Sequence, residues 1–343
     1  MFNSELGGRF RSAAFYTMAI STISWVWRQF LMTKPFLTPI ESDNFGNAIT
    51  SHLAKTTGYT PAQEGETGGP DEVIIVSEPW FSSDDFSLPK QGLVQLLGCW
   101  PSPSFVARMI ESGTKVAGIS PVIAPRVANR VVGFGGPLRV KPDARWGVVG
   151  LGVVGTEVAR KLTASGSPVE IADIRTPRSG ILSELNIRRQ SIDLLVTGSD
   201  VVTLHVPAGP TASPLISERE LNLMKPGAVM INTSHSSVVD EQAVVDALSD
   251  GSLGGYATDC PGQVILEASL DEESSLNSSG NLFITQNPLI NQVGAAQQIA
   301  KYVVANFEAF SNGGDIQGII EPVDFPTIGD PSFWSSKMSP RQD

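Results

Sequence analysis

Short apolar runs alternate along the chain with stretches in which apolar residues return every three or four positions. Runs such as Val73–Val76 and 147–149 are apolar throughout, as strands of a parallel sheet buried on both faces are. Stretches such as 122–132 carry the helical period instead. The alternation predicts an α/β fold built on a doubly wound parallel sheet, with helices on both of its faces.

The alternation falls into two parts, separated by a segment rich in glycine and proline at 133–144. The first part holds a small parallel layer with predicted strands at 73–76, 93–97 and 115–119 and predicted helices at 105–111 and 122–132. The second part continues to a long predicted helix at 292–310. A length of 343 residues agrees with two domains.

A glycine pattern opens the second part. Gly150, Gly152 and Gly155 stand between the apolar run 147–149 and a helical stretch. In a G-x-G-x-x-G loop the first glycine permits the turn, the second admits a pyrophosphate and the third lets the helix pack against the strand. The free N–H groups at the start of that helix favour a phosphate. The pattern predicts a dinucleotide site.

An acidic residue after the next apolar run strengthens this interpretation. Asp173 follows Gly150 by 23 residues, close to the spacing of a carboxylate that accepts the two ribose hydroxyls. A carboxylate repels a 2′-phosphate, so Asp173 favours NAD. Arg175 and Arg178 follow at once, and they either soften that preference or lie in a solvated loop.

The N-terminal stretch 13–32 is apolar but is interrupted, at helical spacing, by Thr17, Ser21, Ser24 and Arg28. This polar stripe predicts a helix packed on the body of the protein or on a second subunit. A peripheral membrane helix is the alternative, but the stripe lacks the basic residues that such a helix needs. We therefore expect no membrane partner.

The composition of the chain further limits the classes of partner that we expect. The net charge is −11, and clustered cations for phosphate contacts are missing, so we expect no nucleic-acid partner. Two cysteines, Cys99 and Cys260, make no disulfide framework, which is typical of a reducing compartment and predicts a cytoplasmic protein. No pair among His52, His205 and His235 has the spacing of metal ligands, so we expect no metal.

Five sequence blocks in the second part form a set. They read VGLGVVG at 149–155, SDVVTLHVP at 199–207, MKPGAVMINT at 224–233, VVDE at 238–241 and LGGYATD at 253–259. Through these blocks the segment 145–318 resembles the NAD-binding half of the D-isomer-specific 2-hydroxyacid dehydrogenases. The resemblance implies NAD as cofactor, a small-molecule substrate and, by analogy, a homodimer.

The resemblance also implies a division of the chain. A Rossmann-type NAD-binding domain would cover 140–288. A smaller flavodoxin-like α/β substrate domain would cover 1–132, divergent at 1–70, and would be completed by 289–325. The tail would be 330–343.

Family positions that contact the cofactor can be matched residue by residue. They fall on Gly150, Gly152, Val153, Val154, Gly155, Asp173, His205, Val206, Pro207, Thr233, Ser234 and Asp259. Asp259 matches the aspartate that binds the nicotinamide carboxamide, and we expect His205 to be structural rather than catalytic.

The family's catalytic groups are not present at the matching positions. His235 stands where the family has the arginine that grips the substrate carboxylate, and Asn287 stands where it has the acid–base histidine. The supporting glutamate is missing from 260–264, and Glu267 is the nearest acid. The substrate loop at 98–103 is altered. The family's long helix before the dinucleotide domain is shortened or absent after Val132, and the predicted helix at 13–32 is a candidate to replace it.

These departures decide the chemistry that we expect. Asparagine has no useful pKa, so acid–base catalysis worth about 10²–10⁴ in rate is missing at Asn287. His235 is then either a relocated acid–base or anion-binding group, or a polar residue left in the loop after the arginine was lost. Imidazole lacks the bidentate fork of arginine.

The sequence thus predicts an NAD-dependent oxidoreductase that acts on a small acid resembling 2-oxo or 2-hydroxy acids by an altered mechanism. A catalytically degenerate NAD(H)-binding sensor or scaffold is the alternative. A redox-neutral enzyme that keeps NAD bound is a third possibility.

Overall fold

The structure is a computed structural model. It describes residues 92–96, 111–175, 177, 180–206, 214–270, 280–285 and 294–320, and the strand backbones at 36–37, 73–76, 80–81 and 100–101. The predictions made for the helix at 13–32, for the loop at 98–103 with Cys99 and for the tail at 330–343 lie outside the described residues.

The first part of the chain forms a small parallel sheet. Its strands, in chain order, are β1 (Phe36–Leu37), β2 (Val73–Val76), β3 (Trp80–Phe81), β4 (Leu93–Leu96), β5 (Trp100–Pro101) and β6 (Lys115–Ala117). The sheet has the order β1-β2-β4-β6, and β3 pairs separately with β5. All of these pairs are parallel, as the apolar runs predict.

The second part forms the larger sheet. Its strands are β7 (Trp146–Val149), β8 (Val169–Ala172), β9 (Arg188–Arg189), β10 (Val201–Leu204), β11 (Val229–Asn232), β12 (Gly255–Thr258) and β13 (Leu282–Ile284). The strands lie in the order β13-β12-β11-β10-β7-β8-β9, and every neighbouring pair is parallel. From β7 the chain adds β8 and β9 on one side of the sheet and then β10 to β13 on the other. The predicted doubly wound sheet is confirmed. Its carboxyl ends bring the loops after β7, β8, β10, β11 and β12 to one edge.

Helices cover both faces of this sheet. They are α1 (Ser120–Phe134), α2 (Val153–Ala164), α3 (Ile181–Leu185), α4 (Ile192–Gly198), α5 (Glu218–Leu223), α6 (Glu241–Ser249) and α7 (Gln263–Leu270). A further helix, α8 (Ala295–Ser311), follows β13 in the chain. Neighbouring residues of one strand point to opposite faces. Val149 therefore packs in the core under α4 to α7, and Val148 packs in the core under α1 to α3. Among the helices described, none is both long enough and apolar enough to cross a bilayer.

Helix α1 packs on a different sheet from the one that the sequence analysis expected. The sequence analysis assigned 122–132 to the smaller layer, but Val127, Ala128 and Val131 are buried in the core of the larger sheet, against α2. The apolar period of a helix predicts that one face is buried, but it does not predict which sheet covers that face. Between α1 and β7, residues 135–139 and 142–143 form turns.

The last helix belongs to the smaller layer. Ile299, Ala300 and Val303 of α8 pack with Leu93 and Ala117 in a separate core. Apolar contacts of this kind are not directional, so a polar network must fix the position of the helix on the sheet.

Asn306 of α8 is the centre of that network. It is 2% exposed, and its Nδ2 donates to Gln95 Oε1 at 2.8 Å and to the Gln317 carbonyl at 2.9 Å. Gln317 N donates back to Asn306 Oδ1 at 2.9 Å. Gln95 in turn donates to the Ala117 carbonyl at 3.0 Å, so one buried amide joins α8, β4 and the segment after α8.

We predict that Asn306→Ala lowers the free energy of unfolding by about 2 kcal/mol, because it leaves buried partners of the amide unsatisfied. Denaturant titration measures the change. Asn312→Ala, at the exposed end of the same helix, is the matched control and should shift the free energy by less than about 0.5 kcal/mol. Equal effects of the two substitutions would contradict the role given to Asn306.

Candidate functional site

The glycine loop between β7 and α2 is held by close backbone contacts. Gly150 has a φ of +91°, and a Cβ on it would collide with the carbonyl oxygen of His205. A Cβ on Gly155 would collide with the carbonyl oxygen of Gly150. The first and third glycines are therefore required by the fold itself, because α2 and β10 approach the loop too closely for side chains.

The second glycine is different. Among the described residues, a Cβ on Gly152 would meet only the Arg175 guanidinium, at 3.7 Å. Gly152 is also the N-cap of α2, and no side chain caps the helix there. An anion could therefore reach the N–H groups at this helix end, where the helix dipole favours negative charge. These features fit the pyrophosphate of a dinucleotide.

Asp173 lies at the end of β8 and is 4% exposed. Its Oδ2 accepts from Leu151 N at 2.6 Å, and its Oδ1 accepts from Arg175 N at 2.8 Å. The carboxylate is thus fixed beside the glycine loop by two backbone donors. The Nε of Arg175 lies 3.7 Å from the same carboxylate, so a cation accompanies the acid. Arg178 lies outside the described residues.

His205 is enclosed by threonine hydroxyls. Its Nε2 lies 2.9 Å from Thr203 Oγ1, and its Nδ1 lies 3.5 Å from Thr233 Oγ1. Burial lowers the pKa of His205 to about 3, so the ring is neutral at physiological pH. This environment agrees with a structural histidine, whose backbone forms one wall of the glycine loop.

Ser234 joins the loops after β10 and β11. Its Oγ donates to the Leu204 carbonyl at 2.6 Å and accepts from Val206 N at 3.2 Å. Its backbone N donates to Asn232 Oδ1 at 3.0 Å. These bonds place Val206, Thr233 and Ser234 together at the carboxyl edge of the sheet. Pro207, which follows Val206 in the sequence, lies outside the described residues.

His235 follows directly and is half-buried. Its Nδ1 accepts from Ser237 N at 3.1 Å and lies 2.9 Å from Ser237 Oγ. Burial lowers the pKa of His235, and the charge of Glu241 opposes that shift only in part. The neutral ring predominates near pH 7, which suits a proton acceptor better than a cationic carboxylate clamp. Asn287 lies outside the described residues.

Asp259, at the end of β12, is paired with a residue that the sequence analysis missed. Arg130 Nη1 of α1 lies 2.8 Å from Asp259 Oδ2, and the two side chains are 9% and 12% exposed. Burial raises the pKa of Asp259, and the guanidinium partly offsets the rise. The carboxylate that the resemblance assigns to the nicotinamide carboxamide is therefore already bound to a cation.

The loop after β12 holds the remaining candidates. Burial raises the pKa of the Cys260 thiol to about 12, so it stays protonated and inert. Glu267 is exposed and accepts from Gln263 Nε2 at 2.7 Å. Glu241, which the sequence analysis did not single out, accepts from Gly262 N at 2.6 Å and fixes this loop. Among the described side chains, no group of three or more His, Cys, Asp or Glu residues is arranged to hold a metal ion.

Comparison with known proteins identifies the second part of the chain. Residues 138–286 match the family described as "D-isomer specific 2-hydroxyacid dehydrogenase, NAD binding domain". Residues 138–286 belong to this family. The NAD-binding domain predicted from the glycine loop is thereby confirmed.

Individual relatives of the family agree with this assignment. The chain is 31% identical over 182 residues to a glycerate dehydrogenase of Methylorubrum extorquens, covering 51% of this chain and 52% of that protein. It is 31% identical over 167 residues to a glyoxylate reductase of Thermococcus onnurineus, covering 49% and 48%. The chain thus matches about half the length of these curated relatives.

A solved structure extends the likeness in fold. A D-isomer specific 2-hydroxyacid dehydrogenase from Lactobacillus delbrueckii ssp. bulgaricus, in an NAD-complexed form, has a TM-score of 0.58 and 18% identity. The match covers 85% of this chain and all of the other. At that identity the likeness concerns the fold alone. It covers more of the chain than the NAD-binding domain does.

His205 should make the stability of the folded protein depend on pH. The unfolded chain takes up a proton on this histidine below about pH 6.5, whereas the folded protein resists protonation until about pH 3. Stability should therefore fall as the pH is lowered through 6.5, by up to about 1.4 kcal/mol per pH unit for one proton. We predict a shallower fall in His205→Gln. Denaturant titrations between pH 7.5 and 4.5 measure both slopes, and equal slopes would contradict the buried neutral ring.

Proposed function

We propose that the protein is an NAD-dependent oxidoreductase that acts on a small acid resembling 2-oxo or 2-hydroxy acids, by a mechanism altered from that of the family. The observation that carries this proposal is the fixed carboxylate of Asp173 beside an open Gly152. The Asp173 carboxylate would accept hydrogen bonds from the ribose hydroxyls, and the N–H groups beside Gly152 would bind phosphate. These two contacts together would specify a dinucleotide.

The cofactor-binding residues follow from this arrangement. The start of α2, with Val153 and Val154, would hold the pyrophosphate, and Asp173 would hold the adenosine ribose. Val206, Pro207, Thr233 and Ser234 would line the path toward the nicotinamide, and His205 supports that path. When bound, NAD(H) supplies or accepts a hydride. Arg175 beside Asp173 should leave some tolerance for the 2′-phosphate of NADP.

The proton of the reaction is assigned to His235. The proposal uses the tautomer in which Nδ1–H donates to Ser237 Oγ in place of accepting from Ser237 N. Nε2 then carries the lone pair and is the atom proposed to exchange a proton with the substrate oxygen. The lowered pKa keeps the imidazole neutral and able to accept a proton from a hydroxyl group. Asn287 can orient the substrate by hydrogen bonding but cannot take part in proton transfer.

The whole chain is proposed to form two units. Residues 140–288 would be the NAD-binding domain, and residues 1–132 with 289–325 would form the substrate domain. The buried face of α1 would then be a fixed contact between the two units. A homodimer in the cytoplasm is the proposed assembly and location.

A second candidate function is an NAD(H)-binding sensor or scaffold without turnover. It is favoured by the Arg130–Asp259 pair, because an aspartate already neutralised by arginine is a weaker acceptor for a carboxamide. Redox-neutral chemistry on bound NAD is the third candidate.

We predict that Asp173→Ala weakens NADH binding at least tenfold and reduces the preference for NADH over NADPH. The substitution removes the acceptor for the ribose hydroxyls and the charge that repels a 2′-phosphate. Isothermal titration calorimetry with both nucleotides measures the effect. Asp250→Ala, at an exposed turn, is the control and should bind as the wild type does. Unchanged binding in Asp173→Ala would overturn the proposed site.

We predict that His235→Ala lowers kcat by about 10²–10⁴, with NADH affinity unchanged, because only the proton transfer is lost. His235→Gln keeps a hydrogen-bonding group and should be equally slow. Oxidation of NADH across a panel of 2-oxo acids measures turnover. Wild-type activity that survives in both variants would refute the role of His235, and NADH binding without turnover in the wild type would favour the sensor.

A further inference from the structure

The backbone of the loop after β8 determines where the Asp173 carboxylate points. Leu151 N, from the glycine loop, and Arg175 N fix the two carboxylate oxygens. The second of these bonds is internal to the loop, so it moves with the loop and cannot anchor it. Because hydrogen bonds weaken steeply when their angles are bent, the peptide groups that carry Asp173 must themselves be held in one orientation.

The ladder between β8 and β9 ends just before these peptide groups. Its last pair joins Ile171 to Arg189, and Gln190 N donates to the Ile171 carbonyl at 2.8 Å. The chain then leaves the sheet and enters α4. The carbonyls of Asp173 and Ile174 therefore lie beyond the end of the ladder, and they need another source of hydrogen bonds.

The side chain of Arg189 supplies hydrogen bonds to both carbonyls. Its Nε donates to the Asp173 carbonyl at 3.0 Å, and its Nη2 donates to the Ile174 carbonyl at 3.2 Å. Both nitrogens belong to one planar guanidinium group, so the two bonds together fix the spacing and the plane of two consecutive carbonyls. Arg189 thus extends the grip of β9 on the loop past the last backbone pair.

Packing of the Ile174 side chain is the other contact that could hold this loop. Ile174 is partly buried and lies against the core under α4 to α7. Apolar packing is not directional, so it limits the place of the loop more than the orientation of its peptide groups. The bonds from Arg189 act on that orientation, and bonds from a charged donor are stronger than neutral ones.

We propose that Arg189 is the positioning residue of the ribose site and sets the selectivity of the protein for a nucleotide that carries both ribose hydroxyls. The inference rests on the proposed function, because it takes Asp173 as the acceptor of those hydroxyls. It adds that a residue 16 positions away, outside the glycine loop, decides how well this acceptor works. Arg189 acts through the loop and does not itself touch the nucleotide.

Binding of ADP and of 2′-deoxy-ADP to the full-length protein tests the proposal, because the two nucleotides differ by one ribose hydroxyl. Isothermal titration calorimetry measures both dissociation constants. We expect the wild type to bind ADP about tenfold more tightly, since the deoxy form lacks a hydrogen bond to a carboxylate. Arg189→Met should reduce this ratio to about threefold or less and keep the affinity for 2′-deoxy-ADP within about twofold of the wild type, because phosphate binding at α2 does not depend on the loop after β8.

The ratio separates positioning of Asp173 from a general loosening of the site. Loosening would weaken both nucleotides and leave their ratio unchanged, and that result would overturn the proposal. Arg188→Met is the matched control, because Arg188 is the exposed neighbour on the same strand and points to the opposite face of the sheet. It should bind both nucleotides as the wild type does.

Arg189→Lys tests the guanidinium group with the charge retained. A single ammonium group cannot hold two carbonyls in a fixed plane, so most of the preference for ADP should be lost in this variant as well. A wild-type ratio in Arg189→Lys would overturn the role given to the guanidinium group.

Asp173→Ala distinguishes failure of this inference from failure of the proposed function. The variant should bind the two nucleotides equally, because it lacks the acceptor for the hydroxyl. A wild type that does not distinguish the two nucleotides would reject both the ribose site and the role of Arg189. A ratio that is lost in Asp173→Ala but kept in Arg189→Met would reject the role of Arg189 alone.

Discussion

Helix α2 begins beside the end of β7 because two positions in the glycine loop carry no side chain. The carbonyl oxygens of His205 and Gly150 occupy the space that Cβ atoms of Gly150 and Gly155 would need. This contact brings the loops after β7 and β10 together and lets Leu151 N reach Asp173 across the gap. The remaining features of the cofactor site follow from it, since Ser234 then joins the loop after β11 to the loop after β10.

The second organising feature is the position of positive charge. The chain is acidic, yet Arg130 is almost buried and faces Asp259 at the carboxyl edge of the sheet. Removing one partner from a buried pair leaves an uncompensated charge, which costs about 3–5 kcal/mol. The pair therefore fixes α1 against β12, and it changes the aspartate from an open acceptor into half of an ion pair.

Much of the fold could be predicted because its signals are local. The starts of α5 and α6 carry local signals of this kind, the Ser217–Glu220 capping box and the Asp240 N-cap, and Glu220 Oε2 accepts from Ser217 N at 3.0 Å. The last helix begins three residues later than predicted, because Gly294 adopts a φ of +77° immediately before it. The glycine loop and Asp173 could also be predicted from local sequence, because each directly follows the strand that positions it.

The remainder depends on contacts between distant residues. Arg130 and Asp259 are 129 positions apart, and no short pattern relates them. The only signal in the sequence is an arginine next to Val131 on the apolar side of α1. Likewise, the neutral state of His205 results from the two threonine hydroxyls and the burial around it, which residue type alone does not specify.

The network around Asn306 also has a consequence for the order in which the chain folds. Gln95 and Asn306 are 211 positions apart, and Ile320 N donates to the Val116 carbonyl at 2.9 Å. The smaller sheet therefore lacks part of its core and its hydrogen bonding until the C-terminal segment has been synthesised. The larger sheet, whose strands all lie between residues 146 and 284, has no such requirement. On the ribosome the larger sheet can thus form first. Until the C-terminal segment is available, the strands of the smaller sheet remain incompletely paired, and a chaperone could protect their exposed edge.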